Sequence, residues 1–203
     1  MEYEVNEPAV KYQRMSPQEF LAFERASEER HEYFEGEVIT MQGASLRHED
    51  IVGNLLREIG YLLKGKDCRI RPSNLRTASK NFKSFMYPDA TIVCGKPMLS
   101  DDSFDVLQNP TVIFEVVSKT SESNDYIKKF LYYKQIDSLQ EYVLINSFEK
   151  IHIDIYRRNN VNMWNMQTYT SLSDTLELPS IGIAISLADI YDNVIFESII
   201  KEE

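Results

Sequence analysis

Residues 86–94, MYPDATIVC, place a carboxylate, Asp89, directly after Pro88 and directly before the apolar run Ala90–Cys94. The stretch reads as a strand of about 86–94 bound for a core, with Asp89 at the mouth of its apolar run. Desolvating an acid there is costly, so it needs a partner. A second stretch, NPTVIFEVVSKT at 109–120, poses the same problem. Glu115 interrupts an apolar strand of about 111–118, and by the two-residue period it shares a face with Ile113 and Val117. If the two strands are neighbours, two carboxylates converge, and without a cation their repulsion raises the pKa of one. A hard divalent ion such as Mg²⁺, which takes one or two carboxylates together with water and phosphate oxygens, resolves the conflict. The competing solution is a salt bridge from each acid to a neighbouring Arg or Lys.

The rest of the chain supplies a frame for these strands. SPQE at Ser16–Glu19 has the spacing of a capping box with proline at the first helical position, and predicts a helix to about Glu29. YFEGEVITM predicts a hairpin turning at Gly36. Between about Leu46 and Lys64, Val52, Leu55, Leu56, Ile59, Leu62 and Leu63 recur at three and four, a helical stripe. CRIRPSNLRT reads as extended, with Pro72 marking an edge or a bulge. A helix is expected from about Ser123 to Gln135, with Ile127, Phe130, Leu131 and the stem of Lys134 on its inner side. EYVLIN, IHIDIYRR and a segment near MWNMQTYT predict three further strands, and LPSIGIAISLADIYDNVIF a closing loop and short amphipathic piece. The order favours an α+β or α/β architecture, one mixed sheet flanked by helices, in a single domain over 1–203.

Composition sets outer limits. With 203 residues, 43% apolar and 27% charged, the chain can bury a substantial core and is not of disordered type. The opening MEYEVNEPAV lacks the features of a secretory signal, and no stretch approaches the roughly 18 consecutive apolar residues of a membrane helix, so a cytoplasmic protein without membrane association is expected. Cys68 and Cys94 are too far apart for a metal knuckle or a redox CxxC and read most simply as reduced, buried thiols, with a disulfide between them as the alternative. The net charge of −10 argues against a surface coated for nucleic acid. Its distribution is uneven: Lys64, Lys66, Arg69, Arg71, Arg76, Lys80 and Lys83 stand against the single acid Asp67, whereas residues 17–37 hold seven Glu against Arg25 and Arg30. Two solvated faces of opposite sign explain this, and so does a basic rim that holds a polyanion.

YPDATIVC, NPTVIFEVVSKTSESNDYIKKFLYYKQIDSLQEYVLI and ISLADIYD, in that order, resemble the Uma-type restriction endonuclease family within the PD-(D/E)XK nuclease superfamily, over about Ser16 to Asp192. The dipeptide PD alone is frequent by chance; the ordered combination is specific. The resemblance implies a restriction-endonuclease-like core, here with an N-terminal helix and hairpin extension, and acidic metal ligands on two neighbouring strands, Asp89 and Glu115. In the common pattern a lysine follows two residues after the second acid, but that position is Val117. The resembling family supplies it from the following helix, which points to Lys129. Asp125, Lys129 and Tyr133 lie at i, i+4 and i+8 and form one stripe, with Lys128 and Lys119 as fallback candidates. A plain Asp125–Lys129 surface pair is the competing reading.

Smaller expectations attach to other positions. His48 matches a histidine of the resembling family and could contact phosphate, move a proton, or simply pack. Glu35 or Glu37, flanking Gly36, could lean in as a further acid. Asn74 stands where similar sequences carry Asp, which leaves a carbonyl oxygen without charge. Trp164, Tyr132 and Tyr133 could stack on bases or belong to the core. The expectation is a Mg²⁺-dependent endonuclease acting on DNA, with Mn²⁺ as a substitute and a homodimer as the form that cuts both strands. A catalytically inactive nuclease scaffold used for binding or dimerisation, and a hydrolase of nucleotides or small phosphates, are the alternatives.

Overall fold

The computed structural model describes residues 14–100, 103 and 105–196. Its first helix, α1 (Pro17–Ala26), starts with a reciprocal cap: Ser16 Oγ accepts the Glu19 N–H at 3.3 Å and Glu19 Oε2 accepts the Ser16 N–H at 2.8 Å. A hairpin follows, β1 (His31–Phe34) and β2 (Glu37–Thr40), joined by Glu35 and Gly36 at φ 47° and 101°. Two consecutive positive φ values give the turn whose twist suits a two-residue hairpin, and glycine takes its place there without a steric penalty.

Next come α2 (Leu46–Leu62), β3 (Cys68–Pro72), β4 (Arg76–Ala78), β5 (Ser84–Met86), β6 (Ala90–Cys94), β7 (Val106–Leu107) and β8 (Val112–Val117). A π-helical segment, Asn124–Lys129, runs directly into α-helical Phe130–Tyr133, and the two together are α3. The chain continues through β9 (Glu141–Asn146), β10 (Ile153–Arg158), β11 (Trp164–Tyr169), β12 (Thr175–Leu178), β13 (Ile183–Ser186) and α4 (Leu187–Ile190). A six-stranded mixed sheet, ordered β11-β10-β9-β8-β6-β3 and parallel only between β8 and β9, carries the main core. A five-stranded sheet, β2-β1-β5-β4-β7, and the pair β12-β13 complete an α+β fold.

Both faces of the six-stranded sheet are covered, which is why β8 is buried along its whole length instead of alternating. On one face Ile51, Leu55 and Ile59 of α2 pack with Phe114, Val143, Ile145 and Leu176. On the other, Tyr133 of α3 packs with Ile113, Val117, Tyr142 and Leu144, joined by Phe34 and Met86 from the five-stranded sheet. No helix among the described residues is long and apolar enough to cross a membrane.

Four local expectations change. The strand expected over 86–94 divides: β5 belongs to one sheet and β6 to the other, with 87–89 crossing between them. CRIRPSNLRT divides likewise, into edge strand β3 and, after a turn, β4. The closing segment, expected as a loop and short amphipathic piece, includes β13, which pairs with the preceding β12 in a hairpin whose apolar side chains complete the α2 face. Cys68 and Cys94, expected as reduced thiols, stand directly opposite each other on β3 and β6 and form a disulfide; 26 positions of separation along the chain close to nothing in the ladder.

Candidate active site

The antiparallel ladder of β6 on β8 pairs Ala90 with Phe114, and one step further brings Asp89 beside Glu115. The ladder itself stops there, and the Val116 N–H turns to the Asp89 side chain, donating to Oδ2 at 2.7 Å. Asp89 Oδ1 faces His48 Nε2 at 3.1 Å. His48 lies in the first turn of α2, where the Ser45 hydroxyl accepts its backbone N–H and fixes the helix start. Burial alone would lower the imidazole pKa, but the Asp89 carboxylate, helped by Glu49, turns the net shift upward and favours the imidazolium.

Glu115, 2% exposed, accepts hydrogen bonds at Oε1 from Tyr133 Oη at 3.0 Å and from Lys129 Nζ at 3.2 Å. Lys129 also lies 3.1 Å from Asp125 and 3.0 Å from Glu32, so three carboxylates enclose one ammonium. The Asp125–Lys129 pair is therefore no surface pair. It is buried, and α3 turns Asp125, Lys129 and Tyr133 toward the sheet while Ile127 and Leu131, expected inside, are 63% and 47% exposed. Lys134, also expected inside, is exposed, and Phe130 is half-buried. The usual amphipathic rule yields here because the acids on β8 and β1 need a cation more than they need an apolar lid.

The electrostatics record that need. Burial pushes the Glu115 carboxyl well above its ordinary range; Lys129 opposes the shift, and Asp125, Asp89 and Glu32 reinforce it. Burial also raises Glu32, again opposed by Lys129. Burial would release a proton from Lys129, yet Glu115, Glu32 and Asp125 override it and hold the ammonium well above its ordinary value. Four acids against one lysine and one histidine leave an excess of negative charge that a proton or a further cation offsets. Among the described residues no arginine pairs with Asp89 or Glu115, and no group of three or more His, Cys, Asp or Glu side chains is arranged to hold a metal ion.

Other expected site residues lie elsewhere. Glu35 pairs with Lys83 at 3.1 Å and Glu37 with Lys128 at 3.4 Å, both hairpin acids pointing outward, so neither is the further acid of the cluster. Lys128 also covers the Phe34 ring at 4.2 Å, and Lys119 is exposed. Asn74 is exposed in the turn after β3 and accepts a hydrogen bond from Arg30 at 3.4 Å. Tyr132 packs on Phe34, and Trp164 sits edge-on to Phe130 under Arg158.

The basic segment is not one continuous rim. Arg76 is 8% exposed, with its guanidinium on Tyr87 Oη at 2.7 Å and Asp105 at 2.9 Å, which leaves it no surface with which to meet a polyanion. Lys80 pairs with Asp137 at 2.9 Å, Lys66 donates to the Gly182 carbonyl at 3.1 Å, and Lys64 lies over the Tyr61 ring at 4.6 Å. Arg69 on β3 donates to the Lys66 and Cys68 carbonyls at 2.6 and 2.8 Å and Arg71 to that of Arg69 at 3.3 Å; paired with Val93 and Thr91, both stand on the sheet face that carries Ile113 and Glu115.

The acid that sequence reasoning missed is Glu32. Besides pairing with Lys129, it accepts the Tyr87 N–H at 3.3 Å, two residues before Asp89. Its signal was present: Tyr33 and Phe34 point to opposite faces, so a strand HEYF is buried on both sides and its acid with it. The density of Glu around it hid the signal.

The chain is 32% identical to the uncharacterized protein slr1290 of Synechocystis sp. over 93% of its length and 97% of that protein. It is 31% identical to sll1609 of the same organism over 72% of its length and 82% of that protein. In fold it is similar to a putative nuclease belonging to DUF820 from Anabaena variabilis, with TM-score 0.74 and 18% identity, covering 89% of this chain and 99% of that one. Residues 17–188, which include both strand acids, Glu32, His48 and Lys129, match a family described as Uma2, putative restriction endonuclease, and the chain belongs to that family.

Proposed function

We propose that this protein is a metal-dependent endonuclease that hydrolyses phosphodiester bonds in DNA. The observation that carries the reading is the register that sets Asp89, just ahead of β6, beside Glu115 within β8, with the Lys129 ammonium against Glu115. The donor set suits Mg²⁺, with Mn²⁺ as a substitute. Two carboxylates in a negatively charged cluster, without sulfur, attract a hard cation that takes its remaining ligands from water and phosphate. Asp89 and Glu115 would hold the ion, which when bound lowers the pKa of a water and offsets charge on the phosphoryl oxygens.

The protein's own groups divide the remaining work. The Val116 N–H and His48 Nε2 take one oxygen each of Asp89 and fix the carboxylate plane. Tyr133 and Lys129 do the same for one oxygen of Glu115 and leave the other for a ligand. Lys129 orients the attacking water or neutralises the scissile oxygen. Arg69 and Arg71, on the sheet face of Glu115, contact the nucleic-acid backbone.

Incubation of supercoiled plasmid with protein and Mg²⁺ tests the proposal. Expected are nicked and linear products that disappear with chelator and with Asp89→Asn or Glu115→Gln. An intact plasmid with every divalent ion tried, beside hydrolysis of a nucleotide panel, would overturn the DNA reading.

A further inference from the structure

The Lys129 ammonium has three N–H bonds, and three carboxylates lie around it: Glu32 at 3.0 Å, Asp125 at 3.1 Å and Glu115 at 3.2 Å. The side chain is 8% exposed and its acidic neighbours 5%, 4% and 3%. The hydrogen bond the ammonium donates goes to Glu115 Oε1, and the ion pairs with Glu32 and Asp125 enclose it on its other sides, away from water and phosphate. Its neighbours come from different elements: Glu32 from β1, Asp125 from its own helix, Glu115 from β8. Glu32 is held in turn by the Tyr87 N–H, and Asp125 is tied to Lys129 through the helix. Glu115 is the partner a cation would also draw on.

We propose that Lys129 is the internal counter-ion of the metal-free site, clamped by Glu32 as a positioning residue, and that a divalent cation engaging Glu115 frees one ammonium N–H to face the substrate. The proposal rests on the metal-dependent reading above and adds two things to it: a role for Glu32, and an order in which the lysine becomes available only after the ion binds. Coulomb's law gives the reason. A divalent charge on the other oxygen of Glu115 draws charge away from the carboxylate's bond to the ammonium and repels the ammonium, whereas Glu32 and Asp125 retain it within the cluster. The lysine then pivots and is not expelled. An idle site so arranged keeps its lysine from binding phosphate unproductively.

The test follows the Lys129 ammonium itself by ¹H–¹⁵N NMR, since only an enclosed ammonium exchanges slowly enough to give a cross-peak. The signal is assigned through its loss in Lys129→Met or, should that variant not fold, through its proximity to the Tyr133 hydroxyl, which donates to the same Glu115 oxygen. Mg²⁺ binding to the same sample is measured by calorimetry. The expected result is a cross-peak in the metal-free protein that shifts and then vanishes through faster exchange as Mg²⁺ saturates the site. Glu32→Gln is expected to lose the peak without metal, to bind Mg²⁺ as the wild type does, and to lower kcat with KM for DNA unchanged; Glu32→Asp is expected to restore part of kcat. Mg²⁺ binding that leaves the wild-type peak unmoved overturns the release step while the metal-dependent reading stands. No Mg²⁺ binding at all overturns both. A Glu32→Gln protein that retains the peak and full kcat overturns the positioning role.

Discussion

The backbone N–H of Val116 donates to the Asp89 carboxylate at 2.7 Å, so the strand that carries one acid of the site also fixes the other. Charge and hydrogen bonding can therefore be separated at Asp89. Asn keeps an acceptor for Val116 and removes the charge; Ala removes both. Asp89→Asn is expected to abolish Mg²⁺ binding and plasmid cleavage with an unchanged urea midpoint. Asp89→Ala is expected to cost about 1–3 kcal/mol of stability as well, through the orphaned N–H.

Lys129→Met is expected to be costly in both currencies of the site. Removing the ammonium leaves Glu32, Asp125 and Glu115 buried with no cation. Breaking a buried pair of this kind destabilises by about 3–5 kcal/mol, readable in urea unfolding. Adding Glu115→Gln to Lys129→Met should recover part of that loss without recovering cleavage, since one of the stranded charges is gone.

Asp105 gives the pH dependence. The Arg25 guanidinium first, and Arg76 with it, hold its carboxyl below the ordinary value of 3.8 against partial burial. A folded pKa below the unfolded one means that the stabilisation is fully present above 3.8 and lost as pH falls through the lowered value. Acid unfolding curves of Asp105→Asn are expected to show a shallower decline over that window than the wild type, and the two should differ most above it.

Binding of DNA should distinguish the arginines. Arg71→Ala or Arg69→Ala is expected to lower the salt dependence of affinity by about one phosphate contact, a slope change of roughly 0.9 in log K against log salt. Arg76→Ala is expected to lower stability with that slope unaltered, because its guanidinium is committed to Tyr87 and Asp105.

Particular residues show where the chain could be read and where it could not. Ser16, Gly36 and the α2 stripe announced their elements because cap, turn and helical period are local rules, and each formed as expected. Asp89 and Glu115 stood out because an acid in an apolar strand conflicts with its surroundings, and that conflict needs no structure to be noticed. α3 was placed correctly along the chain but rotated wrongly. Ile127 and Leu131 look like an inner face until it is known that β1 and β8 both send acids toward the helix, and such a fact belongs to tertiary pairing. Glu32 was lost among surface glutamates for the same reason, and the disulfide because Cys68 and Cys94 meet only once β3 and β6 are aligned.

The crossing at 87–89 gives the molecule a mechanical property. Within it the Tyr87 N–H reaches Glu32, the Tyr87 hydroxyl donates to Glu24 on α1, and Asp89 reaches β8 and α2. This short strap yokes the N-terminal helix and the smaller sheet to the larger one at the very point where the acids meet. A distortion along residues 15–40 is thus transmitted to the spacing of the charged cluster, and this lead-in acts as part of the site instead of as packaging around it.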